Sequence, residues 1–284
     1  MPAGLDRVIE EALGMAPVRS RPLAGGCVGD VIQLSMPDGA RLVAKFGDAG
    51  AQMDLEGWML RYLRDHSDLP VPRVLFEADR LLIMEHLPSR GGITADAQRH
   101  GAELLAALHG VTQSKFGLEK DTLIGGLHQP NPLTKSWLEF FRDQRLMYMG
   151  AQAVSVGRLP TDIMARIETL CGKLDQWISE PSAPSLIHGD MWSGNVLCAA
   201  GRITGLIDPA IYYADPEIEL AFSTLFSTFG DAFFDRYSEL RPLTDGFFEE
   251  RRDLYNLYPL LVHVRLFGGS YVQSVDATLA RYGF

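Results

Sequence analysis

The sequence is poor in cysteine, in long apolar runs and in positive charge. Its only cysteines are Cys27, Cys171 and Cys198, and none of them share a CxxC spacing. Such a set argues against a disulfide framework and is typical of the reducing cytosol, so we expect a cytoplasmic protein. No run of 18 apolar residues and no signal-peptide core is present, which argues against a membrane partner. The 26 Lys and Arg against 36 Asp and Glu give a net charge of -10, which argues against a nucleic-acid partner.

The apolar spacing of the 284 residues changes character near Pro88. Before that point it predicts a helix over 5–13, a hairpin over 31–46, a helix over 51–65 and a strand pair over 74–87. After Thr94 the spacing is helical, apart from a β stretch over 186–207. We therefore predict an α+β fold with two lobes. The small lobe, residues 1–88, is an antiparallel sheet with one inserted helix, and the larger lobe, residues 89–284, is helical.

The strongest motif is HGDMWSGN, from His188 to Asn195, followed by Asp208 at the end of an apolar strand. Transfer of a phosphoryl group to a hydroxyl needs a side chain that takes the hydroxyl proton, and oxygen ligands for Mg2+. Asp190 is the candidate base, and Asn195 and Asp208 are the candidate metal ligands. A hairpin that turns near residues 199–202 would bring these two ligands side by side. For His188 we favour a structural role in anchoring the loop.

The small lobe carries the residues that suit a nucleotide. Lys45 ends an apolar strand, where its ammonium can reach the phosphates of ATP, and Glu56 on the next helix can pair with it. Gly25 and Gly26 lie in a glycine-rich turn whose backbone amides can approach phosphate. We predict that Gly25, Gly26, Lys45 and Glu56 bind ATP where the two lobes join.

The segment from Ile83 to Leu87 resembles the hinge between the lobes of kinases. That resemblance implies that the backbone of Glu85 and Leu87 binds the adenine ring. An ordinary apolar strand fits the composition of this segment equally well.

The whole HGDMWSGN motif resembles the catalytic loop of the fructosamine kinases, whereas related aminoglycoside and choline kinases share its Asp and Asn but usually lack the Trp-Ser-Gly between them. Other segments continue the likeness, namely Gly25-Gly26-Cys27, 137–146, 207–213, 217–221, 254–258 and 267–271. The resemblance implies the protein-kinase-like fold of the aminoglycoside phosphotransferase-like superfamily. It also implies ATP-dependent phosphorylation of a sugar hydroxyl in a ketoamine, such as a fructosamine or ribulosamine adduct of lysine or protein amines. The phosphorylated adduct would then break down and free the amine, which is deglycation.

The same resemblance suggests where the ketoamine binds. Trp192 offers an aromatic face to a sugar ring, and packing against helices is its alternative role. Asp215, Glu217 and Glu219 either brace the catalytic loop, face the substrate or supply negative charge at a helix N-terminus. We predict Trp192, Glu217 and His263 as substrate residues. His109 lies on an apolar helix face and is predicted to be a core histidine.

Two other functions stay open. Another small-molecule kinase of this fold, for an aminoglycoside, choline or a sugar, shares every catalytic residue, although the Trp-Ser-Gly within the motif argues against it. A nucleotide-binding pseudokinase is less compatible, because Lys45, Asp190, Asn195 and Asp208 are all present. We further predict that Cys27 is an oxidisable thiol, so the protein is a monomer or a Cys27-linked dimer. Selection of a small residue for the turn explains Cys27 equally well.

Overall fold

The structure is a computed structural model that describes residues 5–23 and 30–284. It contains two compact units. The first joins Met1–Gly101 to Gly194–Pro209, and the second joins Ala102–Ser193 to Ala210–Phe284. This division reflects compactness alone, so the assignment of residues 1–88 to nucleotide binding and of 89–284 to catalysis stays a prediction.

The elements alternate between strands and helices in the first half of the chain and are mostly helical in the second. The strands are β1 (Arg19–Pro22), β2 (Asp30–Ser35), β3 (Arg41–Phe46), β4 (Val74–Ala78), β5 (Leu81–Glu85), β6 (Thr122–Ile124), β7 (Leu127–Gln129), β8 (Ser185–Ile187), β9 (Val196–Ala199), β10 (Arg202–Leu206) and β11 (Tyr212–Ala214). The α-helices are α1 (Leu5–Leu13), α2 (Met53–His66), α3 (Ala95–Leu108), α4 (Trp137–Phe140), α5 (Tyr148–Ser155), α6 (Thr161–Cys171), α7 (Glu217–Leu225), α8 (Asp231–Leu240), α9 (Arg252–Phe267) and α10 (Ser270–Arg281). Wider π-helical turns over Phe141–Met147 connect α4 to α5.

A five-stranded antiparallel sheet in the order β1-β2-β3-β5-β4 forms the centre of the first unit. Side chains alternate between its faces, as the strand period requires. Leu81 and Ile83 pack in a cluster with Ile9 of α1. Leu82 and Met84 pack in a second cluster with residues of α2. Because helices cover both faces, the inner strand β5 is apolar at nearly every position, and Lys45 on the central strand β3 falls on the side of α2.

Aromatic packing dominates the second unit. Trp137 is fully buried and stacks with Phe140 and Phe141, and its indole Nε1 donates to the hydroxyl of Tyr255 at 3.0 Å. Helix α9, which holds Tyr255, is buried along most of its length despite Pro259 within it. The short antiparallel pair β8–β11 lies at the start of the predicted catalytic loop, with Tyr212 opposite Ile187.

The predicted α+β class, with an antiparallel sheet followed by helices, is confirmed. The apolar spacing did not reveal β1, the hairpin β6–β7 or β11, because these strands are only three or four residues long. In the part of the chain that the structure describes, no helix is long and apolar enough to cross a membrane.

Candidate active site

The side chain of Lys45 lies between two carboxylates of the first unit. Its Nζ is 2.7 Å from Oε1 of Glu56 and 2.5 Å from Oδ1 of Asp208. Lys45 is on β3 and Glu56 is one turn into α2, so the strand and the helix that covers it supply the first pair. The Lys45 side chain is 6% exposed, whereas that of Asp208 is 28% exposed. The predicted pairing with Glu56 is therefore present, and nearby Asp54 is exposed instead.

Burial and charge act in opposite directions on this cluster. Desolvation alone would lower the pKa of Lys45, but the charges and hydrogen bonds of Glu56 and Asp208 outweigh it, so the pKa is raised. The pKa of Glu56 is also raised, because its burial outweighs the attraction of Lys45 and the charge of Asp208 adds to the effect. Lys45 therefore stays an ammonium at any physiological pH.

The hairpin β9–β10 carries the two predicted metal ligands. Asn195 directly precedes β9, and the N–H of Ile207, which follows β10, donates to the Asn195 carbonyl at 3.1 Å. Asp208 is the next residue and has a positive φ of 55°, a conformation that Asp tolerates better than most residues. The hairpin turn thus places Asn195 and Asp208 at the same end of the strand pair, within one unit.

The predicted base, Asp190, belongs to the second unit and follows β8. One backbone hydrogen bond and one glycine fix the loop before it. The carbonyl of His188 accepts from the N–H of Ala210 at 2.8 Å. Gly189 has a φ of 86°, and a Cβ there would lie 2.1 Å from the carbonyl oxygen of Ala210. Only glycine fits this position, and Asp190 is consequently presented half-buried.

His188 is fully buried, and its Nδ1 accepts from the backbone N–H of Asp190 at 3.4 Å. A backbone N–H can only donate, so Nδ1 is the acceptor in this contact. This contact agrees with the predicted structural role of His188.

A buried chain of hydrogen bonds braces the same loop. Oε1 of Glu219 accepts from the N–H of Gly189 at 2.7 Å, and Oε2 lies 2.8 Å from Nε2 of His109. Nδ1 of His109 is 2.7 Å from the hydroxyl of Tyr237. The prediction that His109 is a satisfied core histidine is confirmed. Of the roles weighed for Glu219, bracing the catalytic loop is the one that its contacts show.

The other two acids of this segment are also engaged. Both oxygens of Glu217 accept from the guanidinium of Arg251, at 2.6 and 2.9 Å. Asp215 accepts from the hydroxyl of Tyr255 at 2.7 Å and from the N–H of Glu217. Burial, with the charge of Glu217 adding to it, raises the pKa of Asp215 to about 7. Since Glu217 is buried and its carboxylate is taken up by Arg251, this geometry does not support direct contact with substrate.

The other two predicted substrate residues, Trp192 and His263, are partly exposed. Trp192 is half-buried, and its backbone N–H donates to the carbonyl of Asp190 at 3.1 Å. His263 is also half-buried, beside the rings of Phe226 and Tyr271. Burial lowers the pKa of His263, although Nδ1 lies 2.7 Å from the carbonyl oxygen of Pro259.

The predicted hinge leaves one backbone donor available. The N–H of Glu85 donates to Arg73 at 2.9 Å, whereas that of Leu87 donates to no backbone carbonyl within residues 5–23 and 30–284. The side chain of Leu87 packs on Gly205 of β10 so closely that a Cβ there would lie 2.2 Å from its Cδ1. Gly25, Gly26 and Cys27 lie outside the described residues, so their predicted roles stay predictions.

Residues 3–282 match the family model described as fructosamine kinase. A "Probable ketoamine kinase" of Synechocystis is 36% identical over 201 residues, which are 70% of this chain and 66% of that protein. A crystal structure from Thermobifida fusca, described as a candidate fructosamine-3-kinase, has 30% identity and a TM-score of 0.85, covering 97% of this chain and 98% of that one. A thermostable mutant of aminoglycoside phosphotransferase APH(4)-Ia, solved with ADP and hygromycin B, is 18% identical with a TM-score of 0.70, covering 99% and 100% of the two chains. This last likeness is one of fold alone.

Proposed function

The chain belongs to the fructosamine kinase family, and from that premise we propose that it phosphorylates a sugar hydroxyl of ketoamines with ATP. The observation that carries the phosphoryl-transfer chemistry is the buried ammonium of Lys45 between Glu56 and Asp208. A phosphotransferase needs a fixed cation for the triphosphate, because positioning and charge stabilisation supply most of its rate enhancement. Family membership and the ketoamine kinase name of the Synechocystis relative support the substrate class.

Lys45 would bind the phosphates of ATP while Glu56 holds its side chain in place. The two carboxylates keep the ammonium charged and aligned, so binding ATP needs no change in its protonation state. Burial strengthens the attraction between Lys45 and phosphate relative to the same pair in water. The backbone of Glu85 and Leu87 would bind adenine, for which the Leu87 N–H is a suitable donor.

The residues present fit a magnesium ion. Asn195 and Asp208 offer amide and carboxylate oxygens from one end of a single hairpin, and these are ligands that Mg2+ prefers. No group of three or more His, Cys, Asp or Glu in residues 5–23 and 30–284 forms a complete metal site. Mg2+ usually takes one or two protein ligands together with phosphate oxygens. When bound, the ion would neutralise the charge that develops on the transferred phosphoryl group.

Asp190 would orient the sugar hydroxyl and accept its proton. The loop before it is fixed through Gly189, whose N–H is bound by Glu219 and whose conformation leaves no room for a side chain. A base held in this way loses little entropy when it meets its substrate. Trp192 and His263 would contact the sugar and the amine part of the ketoamine. Glu217 would act indirectly, by holding the start of α7 through Arg251.

Phosphorylation would make the ketoamine adduct unstable, so that its breakdown frees the original amine. The proposed outcome is therefore deglycation of lysine or protein amines. Fructosyl and ribulosyl adducts both carry the required sugar hydroxyl. Membership of the family supports either adduct as a substrate.

A substrate panel tests this proposal. Purified protein with Mg-ATP would be given fructosyl-, ribulosyl- and erythrulosyl-lysine beside an aminoglycoside, choline and free sugars, with ADP release followed by a coupled assay. We expect turnover on at least one ketoamine and a kcat/KM at least about 100-fold lower on the other acceptors, because these leave polar groups of the site unpaired. Preferential turnover of an aminoglycoside, choline or a free sugar would favour the second kinase function. Mg-dependent ATP binding without turnover on any acceptor would favour a pseudokinase.

A further inference from the structure

Four arginines that are far apart in the sequence surround one open pocket of the first unit. The pocket has a volume of about 710 Å3, and we call it the arginine pocket. Arg21 lies on β1, Arg41 begins β3, Arg73 precedes β4 and Arg90 follows β5. A volume of this size is within the range of small-molecule sites, which is roughly 300–1,000 Å3.

The backbone around the arginine pocket is held by hydrogen bonds. The carbonyl of Arg41 accepts from the N–H of His86 at 3.2 Å, and that of Arg73 accepts from the N–H of Glu85 at 2.9 Å. The N–H of Arg90 donates to the carbonyl of Cys198 at 2.8 Å. The exposed arginine side chains that line the pocket are therefore attached to a backbone that is held in place.

The pocket is positively charged in a protein whose net charge is -10. Its lining contains four arginines and a single acidic residue, Glu85. Among the residues that the structure describes, none of the four arginines forms an ion pair, whereas Arg61, Arg166 and Arg236 each pair with a carboxylate. Arg21 donates from Nε to the neutral side chain of Gln33. Positive charge is thus concentrated here, with one carboxylate against four guanidinium groups.

The positive charge of the arginines affects the pKa of a neighbouring histidine. His86 lines the pocket. Burial is the main cause that lowers the pKa of its imidazole, and the positive charges of Arg41 and Arg21 lower that pKa further. A backbone hydrogen bond opposes them in part. His86 consequently stays neutral at physiological pH and adds no charge of its own.

We propose that the arginine pocket binds a small anion that carries two or more phosphate groups. Guanidinium groups present paired N–H donors that match phosphate oxygens. A terminal phosphate group brings about 1.5–2 negative charges at pH 7, and each internal one brings a further charge. A compact polyphosphate delivers that charge within the pocket, whereas an extended acidic peptide spreads its carboxylates at about 3.3 Å per residue on alternating sides. Lys45 lies four residues from Arg41 along β3, roughly 13 Å at that rise, so the pocket is separate from the Lys45 cluster. The pocket shares Glu85 with the segment proposed to bind adenine, but its four arginines have no part in the proposed kinase chemistry.

The test is calorimetric titration of the full chain with inorganic tripolyphosphate in metal-free buffer. Wild type would be compared with Arg41→Gln/Arg73→Gln and with the matched control Arg64→Gln/Arg202→Gln, which removes two exposed arginines of the same unit outside the pocket. We expect tripolyphosphate to bind wild type and the control alike, and the pocket variant at least about tenfold more weakly, because charge-assisted hydrogen bonds to phosphate are lost. Thermal unfolding of each protein verifies that the variants are folded.

Three outcomes would overturn the proposal. Equal binding by all three proteins would place tripolyphosphate elsewhere, for example at Lys45. An equal loss in both double variants would show a general effect of net charge. Tighter binding of a poly-glutamate peptide than of tripolyphosphate, lost only in the pocket variant, would identify an acidic protein segment as the occupant instead.

Discussion

The Nζ atom of Lys45 lies 2.5 Å from Oδ1 of Asp208, although the two residues are 163 positions apart in the sequence. Glu56 contacts the same ammonium, so one buried cation faces two carboxylates. Removal of the Lys45 ammonium would leave the carboxylates of Glu56 and Asp208 close together where little water can solvate them. Stability and activity should therefore both depend on Lys45.

We predict that Lys45→Met lowers the free energy of unfolding by about 3 kcal/mol, because it breaks a buried ion pair. Glu56→Gln alone should cost less, and the double variant should recover part of the loss. Urea denaturation of the four proteins gives the coupling energy between the two sites, which we expect to be about 1–3 kcal/mol. Strictly additive losses would mean that the Lys45–Glu56 contact contributes nothing to folding.

Glu219 is predicted to act as a positioning residue for Asp190 through the N–H of Gly189. Glu219→Leu should lower kcat on the order of 100-fold with little change in the KM for ATP, since a displaced base costs rate rather than nucleotide affinity. Glu219→Gln keeps an acceptor oxygen and should lose less than about tenfold. The control is Ser223→Ala, one turn further along α7, where the hydroxyl only bonds to its own helix. Equal kcat values in Glu219→Gln and Glu219→Leu would argue against this role.

Gly189 and Gly201 allow a direct test of how tightly the loop is built. Both have positive φ, but a Cβ at Gly201 would have its nearest neighbour at 3.6 Å, against 2.1 Å at Gly189. Gly201→Ala should cost about 1 kcal/mol from its backbone conformation alone. Gly189→Ala should cost at least about 2 kcal/mol more, because a methyl group there overlaps the carbonyl of Ala210. Similar unfolding free energies for the two variants would contradict the close approach.

Asp215 should make stability depend on pH. Its pKa rises from 3.8 in the unfolded chain to about 7 in the folded one, mainly by burial and then by the charge of Glu217. The folded state therefore binds the proton more tightly, so this residue's contribution is fully present below pH 3.8 and is lost as the pH rises toward and through 7. Asp215→Asn does not titrate, so its stability relative to wild type should increase between pH 5 and pH 8. Chemical denaturation at several pH values measures this difference, and a constant difference would be inconsistent with the raised pKa.

Local sequence patterns predict some of these features and not others. The strand before Lys45, the helix with Glu56 and the hairpin between Asn195 and Asp208 follow from apolar spacing and turn residues, which act over a few positions. The partners Arg251 and Tyr255 lie more than 30 residues from the acids they bind, and no local pattern marks such pairs. For the same reason the sequence does not reveal that Arg251 occupies the carboxylate of Glu217, which the family resemblance marks as a substrate contact. The arginine pocket was also missed, because its four residues come from four separate segments.

Direct detection of the phosphorylated product tests the central claim most closely. Fructosyl- and ribulosyl-lysine would be incubated with Mg-ATP and the protein, and the products followed by 31P NMR and mass spectrometry. The Asp190→Asn and Asp208→Asn variants would be assayed in parallel, after circular dichroism has established that both are folded. We expect a sugar phosphate ester that forms with wild type, depends on Mg-ATP and precedes release of free lysine, and a rate at least about 100-fold lower in both variants. No ester on any ketoamine, or an Asp208→Asn variant with a near-normal rate, would contradict the account.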